Sequence, residues 1–98
     1  MILFCEYVIP EKYRETFQAW AEARRQLWSG AELMENAGQP GVFVEIWPVR
    51  DEREGLRIQK ERLGGRSGWS EMEQWVKGGR DGIRSWMFRP LFPDELPA

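Results

Sequence analysis

The sequence predicts an α+β domain: a four-stranded antiparallel sheet with helices on one face and the other face open. Three observations carry this. Short runs rich in β-branched and aromatic residues, "ILFCEYVI", "GVFVEIWPV" and "IRSWMFR", alternate with longer amphipathic stretches. A compact Gly/Pro turn, "NAGQPG", joins two strand candidates as a hairpin does. The helical stretches begin on start signals and end on glycine.

Taken in order, residues 2–9 form the first strand, too short for a helix before Pro10. Pro10 suits a first helical turn, and Glu11 sets negative charge at the positive end of the helix dipole. The first helix is predicted from there to about Trp28. Its Tyr13, Phe17, Trp20 and Leu27 fall on one stripe, with Arg14, Glu15, Gln18, Glu22 and Arg25 opposite. Ser29-Gly30 ends it, with Gly30 expected in the left-handed conformation. Residues 31–36 and 42–49 are the hairpin strands. Asp51 and Glu54 make a capping box that opens a second helix, which runs to about Leu63 and stops at Gly64-Gly65. "WSEMEQWVKGG" repeats that logic, with Ser70 and Glu73 as the box, Met72, Trp75 and Val76 as the apolar face and Gly78-Gly79 as the stop. Residues 83–89, closed by Pro90, are the fourth strand. The end of the chain reads as an extended arm, and residues 93–98 are a tail outside a single domain of residues 1–92.

The order strand, helix, strand, strand, helix in two pieces, strand is the split βαβ, ferredoxin-like motif, βαββαβ. Right-handed crossovers place strands 1 and 3 in the centre, strands 4 and 2 at the edges, and both helices on one face.

Alternation then sorts the central strands. Small Val42, Val44 and Ile46 are expected under the helices, leaving Phe43, Glu45 and Trp47 on the open face. Matching carboxylates by face puts Leu3, Cys5 and Tyr7 under the helices and Ile2, Phe4, Glu6 and Val8 on the open side. Either way both faces of the sheet are apolar, and an open patch of this kind exceeds what a monomer leaves wet. A second sheet is the natural cover, which predicts a homodimer with Phe4, Val8, Phe43, Trp47 and Arg89 at the interface. At 98 residues the chain buries only a little over roughly 60% of its unfolded surface, so a partner's contribution matters.

Composition narrows the function. The chain is 42% hydrophobic and 31% charged, as globular proteins are, with a net charge of -2 that argues against nucleic acid or an acidic membrane as a partner. The single cysteine, Cys5, fits a reducing, cytoplasmic setting and, inside an apolar strand, a structural thiol. The N-terminal run lacks the marks of a signal peptide, and no run is long enough for a membrane span. Six Trp and five Phe in so short a chain demand burial, in a core, an interface or a pocket.

The βαββαβ order, the apolar open faces of "ILFCEYV" and "VFVEIW", and the broken second helix with "GWSEMEQW" before the last strand together resemble the dimeric α+β barrel superfamily. That superfamily includes antibiotic-biosynthesis monooxygenase-like and NIPSNAP-like proteins, and the resemblance spans roughly residues 1 to 92. It implies a homodimer with a pocket between sheet and helices in each protomer, holding a small apolar or aromatic molecule. Members with oxygenase activity hold an aromatic or haem-like substrate and several lean on His, Asn and Trp. This sequence has no His, which excludes a His-ligated haem and a His base. Asn36 and Trp75 match no catalytic position. What remains of that reading is a cofactor-independent monooxygenase, with Tyr7, Trp20, Trp69 and Trp75 as candidate pocket lining.

Glu6 and Glu45 are the most informative polar residues, because a carboxylate in a central strand must be paired, protonated or near water. With Tyr7 they are the catalytic candidates, as an acid/base or ligand-anchoring pair. The plainer account is an interfacial ion-pair network in which Arg84 or Arg89 reaches Glu6. Arg50, Arg53, Arg57 and Lys60 draw a basic stripe interleaved with acids, which predicts a solvated, ion-paired face. No metal site and no cofactor are expected: His is absent, Cys is single, and neither a calcium loop nor a phosphate loop is present. An RNA-recognition module shares the topology, with Phe43 and Trp47 as stacking platforms, but Pro40 stands where a basic residue belongs and Glu45 sits between the rings.

Overall fold

The computed structural model describes residues 1–65 and 67–92, so the expected tail, residues 93–98, lies outside the described residues. Four strands, β1 (Ile2–Val8), β2 (Glu32–Glu35), β3 (Val42–Pro48) and β4 (Arg84–Phe88), form one antiparallel sheet in the order β2-β3-β1-β4. Helix α1 (Arg14–Glu22) lies between β1 and β2, and α2 (Glu52–Leu63) follows β3.

The first helical stretch is shorter than its apolar stripe suggests. A 3-10 turn, Glu11–Tyr13, leads into α1, and the helix breaks at Arg24 (φ -129°, ψ 37°) before a second 3-10 turn, Arg25–Trp28. The Arg24 guanidinium stacks on the Trp20 ring at 5.0 Å and donates to the Trp20 carbonyl at 3.3 Å. The break lets Trp28 turn inward, where it is buried against Trp20. Gly30 is not left-handed; among the described residues only Gly41, Gly78 and Gly79 have positive φ. The chain stops instead on an Ala31 N–H to Trp28 carbonyl bond.

Asp51 caps α2 as its sequence predicts, accepting from the Glu54 N–H at 2.9 Å. Glu54 reaches back one residue beyond the expected partner, to the Arg50 N–H and guanidinium. The Ser70 box does not form. Ser70–Trp75 is a 3-10 segment without a side-chain cap, and the Ser70 hydroxyl donates to the Ser67 carbonyl instead. Its stop does form: Gly78 and Gly79 both adopt positive φ, which only glycine enters without strain, and the 3-10 turn Gly79–Gly82 leads into β4.

Both helices cover one face of the sheet. Leu3, Cys5 and Tyr7 are buried on that face, as expected for β1. On β3 the expectation is inverted. Leu3 pairs with Trp47, Cys5 with Glu45 and Tyr7 with Phe43, and cross-strand partners share a face. Phe43, Glu45 and Trp47 therefore lie under the helices, while Val42, Val44 and Ile46 face the open side. The space beneath the helices admits these large side chains because each helix sets a small residue beside its large ones. Ala21 of α1 and Gly55 of α2 are buried, so the strands carry the large rings. Phe17 of α1 packs edge-on against Phe43, ring centroids 5.0 Å apart, and Trp47 meets Trp69 at 5.8 Å.

Candidate functional site

The most polar feature of the core is centred on Glu45, which is 0% exposed. Arg62, in the last turn of α2 and 2% exposed, grips it with two hydrogen bonds, Nε to Oε1 at 2.8 Å and Nη2 to Oε2 at 2.7 Å. The Tyr7 hydroxyl donates to Oε2 at 2.7 Å and the Trp47 indole to Oε1 at 3.0 Å. The guanidinium is flanked by the Trp69 and Tyr7 rings, 5.3 and 5.8 Å from its carbon, and its Nη2 also reaches the Met72 sulfur at 3.5 Å. A bidentate pair of this kind is the arrangement in which a buried carboxylate keeps its charge.

The electrostatics follow. Burial pushes the Glu45 carboxyl up, but the hydrogen bonds and charge of Arg62, with Tyr7 adding to them, hold it below the ordinary carboxylate value. Burial, then the charge of Glu45, raises the Tyr7 hydroxyl well above its usual range. Cys5, whose Sγ lies 3.7 Å from the Ser85 hydroxyl, is pushed up to about 11 by burial and by Glu45. The Tyr7 hydroxyl is held neutral, and both oxygens of Glu45 are occupied by donors. This cluster pins α2 to the sheet.

The structure separates the sequence candidates. Tyr7 and Glu45 meet in the cluster, but Glu6 is on the opposite face, so the two carboxylates form no pair. Arg84 is the residue directly across from Glu6, and no ion pair joins them. Arg89 lies beyond β4, five residues along from Arg84 and so roughly 16 Å away at strand rise, out of reach of Glu6. Trp20 and Trp75 pack together at 5.8 Å; of the pocket candidates Tyr7 and Trp20 belong to the core and Trp69 and Trp75 pack against it, while Trp69 also lines a shallow cleft at the end of α2 and Tyr7 one beside Lys77 and Arg84. Arg62, the counter-ion of Glu45, escapes a reading based on charge runs. Its signal is periodic: Gly55, Ile58, Gln59 and Arg62 fall on one face of α2, and a cation on a buried face implies a buried anion.

Phe43 and Trp47, placed by sequence on the open face and at the dimer interface, are covered by the helices and cannot serve as stacking platforms for RNA. The open face belongs instead to Ile2, Phe4, Glu6 and Val8 of β1, Val42, Val44 and Ile46 of β3, Met34 of β2, and Arg84, Trp86 and Phe88 of β4. Phe4 stacks on Trp86 and meets Phe88 edge-on, both at 5.9 Å, yet Trp86 and Phe88 remain 44% and 53% exposed.

A cleft of about 410 Å³ lies beside this core, between α1 and the outer edge of β2. Phe17, Ala21, Trp28, Leu33 and Phe43 give it an apolar floor. Gln18, Glu22, Arg25 and Glu35 stand around it; Gln18 donates to Glu22, and Glu35 accepts the Gly41 N–H. None of the four pocket candidates lines it. The basic stripe of Arg50, Arg53, Arg57 and Lys60 is exposed, and two of its members are paired, Arg50 with Glu54 at 2.6 Å and Arg57 with Glu61 at 3.6 Å. Among the described residues no three His, Cys, Asp or Glu side chains converge as a metal site requires, and no helix is long and apolar enough to cross a membrane.

The fold and its two surfaces define a small α+β protein with a four-stranded antiparallel sheet. No protein-family model, no curated protein and no solved structure matches the chain.

Proposed function

We propose that the protein is a cytoplasmic homodimer of the dimeric α+β barrel type, two ferredoxin-like protomers joined through their open sheet faces. Each protomer binds a small apolar or aromatic molecule in the cleft beside α1. The observation that carries the binding role is the cleft itself: about 410 Å³ with an aromatic and aliphatic floor, within the size range of small-molecule sites. Binding without chemistry fits this site, because the buried groups Tyr7 and Glu45 are committed to one another and to Arg62.

The second copy is favoured by what the open face displays. Trp86, Phe88 and Met34 are large, apolar, exposed and contiguous with the half-buried aliphatics of β1 and β3, a patch that an isologous contact covers with its own likeness. Glu6 and Arg84 stand side by side on that face, one of each sign, which makes the face complementary to a copy of itself.

The test joins two measurements. Light scattering at micromolar concentration is expected to give twice the chain mass; a stable monomer refutes the dimer. Titration with 2-naphthol, followed by amide NMR, is expected to move Ala21, Trp28 and Leu33, and filling the cleft by Ala21→Phe is expected to abolish the response. No shift at these residues in the native protein refutes the binding role.

A further inference from the structure

One wall of the cleft is a strand edge with unused hydrogen-bonding capacity. β2 has β3 on one side and no strand on the other. The alternation of the antiparallel ladder fixes which groups point outward. The Asn36 N–H donates to the Val42 carbonyl at 2.8 Å, so even-numbered residues of β3 bond towards β2. The other side agrees: Ile9 donates to the Gly41 carbonyl and Val49 to that of Met1, so the odd-numbered residues bond towards β1. Met34 and Glu32, opposite Val44 and Ile46, are therefore the β2 residues tied to β3, and Leu33 and Glu35 direct their N–H and C=O groups away from the sheet. Among the described residues no hydrogen bond meets these four groups. Leu33 and Glu35 also turn their side chains to the helix-covered face, into the cleft.

From this juxtaposition we infer that the cleft takes a short extended peptide that adds to β2 as a further antiparallel strand. The inference rests on the binding role proposed for the cleft and names its ligand class. A strand added at an edge gains main-chain hydrogen bonds for affinity, while alternate side chains enter pockets for specificity. The ligand residue opposite Leu33 shares its face and drops onto Phe17, Ala21 and Trp28, so it is large and apolar. The residue two positions earlier lies opposite Glu35, on a cleft wall that carries Glu22 as well, so it is Lys or Arg. The residue between them faces the open side and turns its N–H away from β2. The recognised pattern is basic, any, large apolar, read from N to C.

The probe is the capped tripeptide acetyl-Lys-Ala-Phe-amide, titrated calorimetrically into the native protein and in competition with 2-naphthol. The tripeptide is expected to bind and to displace 2-naphthol. N-methylation of the Phe nitrogen, which faces the Leu33 carbonyl, is expected to weaken binding about tenfold, the effect of one lost hydrogen bond. N-methylation of the Ala nitrogen is expected to change affinity by less than about twofold, since that group makes no bond to β2. Glu35→Gln is expected to erase the preference for Lys over Ala at the first position. If 2-naphthol binds and the tripeptide does not displace it, the peptide inference fails and the cleft remains a small-molecule site. Equal effects of the two methylations overturn strand addition. If neither probe binds, both readings fall.

Discussion

Replacing Arg62 by Met tests whether the Glu45 cluster is the pin that holds α2 on the sheet. The side chain that replaces the guanidinium has a similar reach and no charge, so the perturbation is electrostatic more than steric. Glu45 loses its bonds at 2.8 and 2.7 Å and keeps only the Tyr7 and Trp47 donors. A fully buried carboxylate left without its cation costs about 3–5 kcal/mol, a large share of the roughly 5–15 kcal/mol that holds a domain together. The pH dependence changes sign as well. In the native protein Glu45 lies below the ordinary carboxylate value, so its contribution is present above that value and is lost as pH falls through the lowered one. In Arg62→Met burial is opposed only by the Tyr7 and Trp47 donors and raises the carboxyl, so stability is greatest in acid and declines as pH rises through the raised value. Urea unfolding at pH 3, pH 5 and pH 7, at one protein concentration, reads both effects: the native loss falls below the ordinary carboxylate value and the variant's decline above it. Adding Glu45→Gln to Arg62→Met removes the bare charge, keeps an acceptor oxygen for the Trp47 indole and offers an amide N–H to the Tyr7 hydroxyl oxygen, and is expected to return about 2 kcal/mol. An Arg62→Met protein within about 1 kcal/mol of the native one, with an unchanged pH trend, refutes the argument.

Three further outcomes are expected. Trp86→Glu places a charge on the open face, stacked on Phe4, and is expected to halve the mass in light scattering while leaving the circular dichroism unchanged; an intact dimer mass counts against that face as the interface. Asp51→Ala removes the acceptor for the Glu54 N–H and is expected to cost about 1 kcal/mol, read as a fall in Tm of about 4–8 °C. Cys5, raised to about 11, holds roughly one thiolate in a thousand at pH 8, so a disulfide reagent such as dithionitrobenzoate is expected to label it only on unfolding; labelling of the native protein at the rate of free cysteine contradicts its burial.

The strands and α2 were legible because their signals are local. β-branched runs, a Gly/Pro turn and an Asp51 cap each act within a few residues. The 3-10 character of Ser70–Trp75 was not, since the Ser70 hydroxyl donates to the Ser67 carbonyl in place of accepting a backbone N–H as a cap does. The facing of β3 was illegible for a different reason. Both of its faces are apolar, so alternation alone does not say which is covered, and reading the two strand carboxylates as facing one way tied the answer to Glu6. The information sat elsewhere in the chain. Arg62 on the buried side of α2 calls for an acid beneath it, and Glu45 supplies it.

The same division of bulk explains where a cleft can form in so small a protein. With Phe17 and Trp20 buried on α1 and Phe43 and Trp47 on the strand, the layer between sheet and helices is filled by rings from both sides. Such a layer is continuous only where a helix lies above every strand. α1 ends at Glu22 and breaks at Arg24 so that Trp28 can enter, and β2 spans just Glu32–Glu35 at the sheet's edge. Phe17 and Phe43, packed edge-on, with Trp28 and Leu33 are consequently left as the floor of an open gap. The break that buries Trp28 is thus also what opens the site, and a substitution that continues α1 through Arg24 closes the cleft at its source.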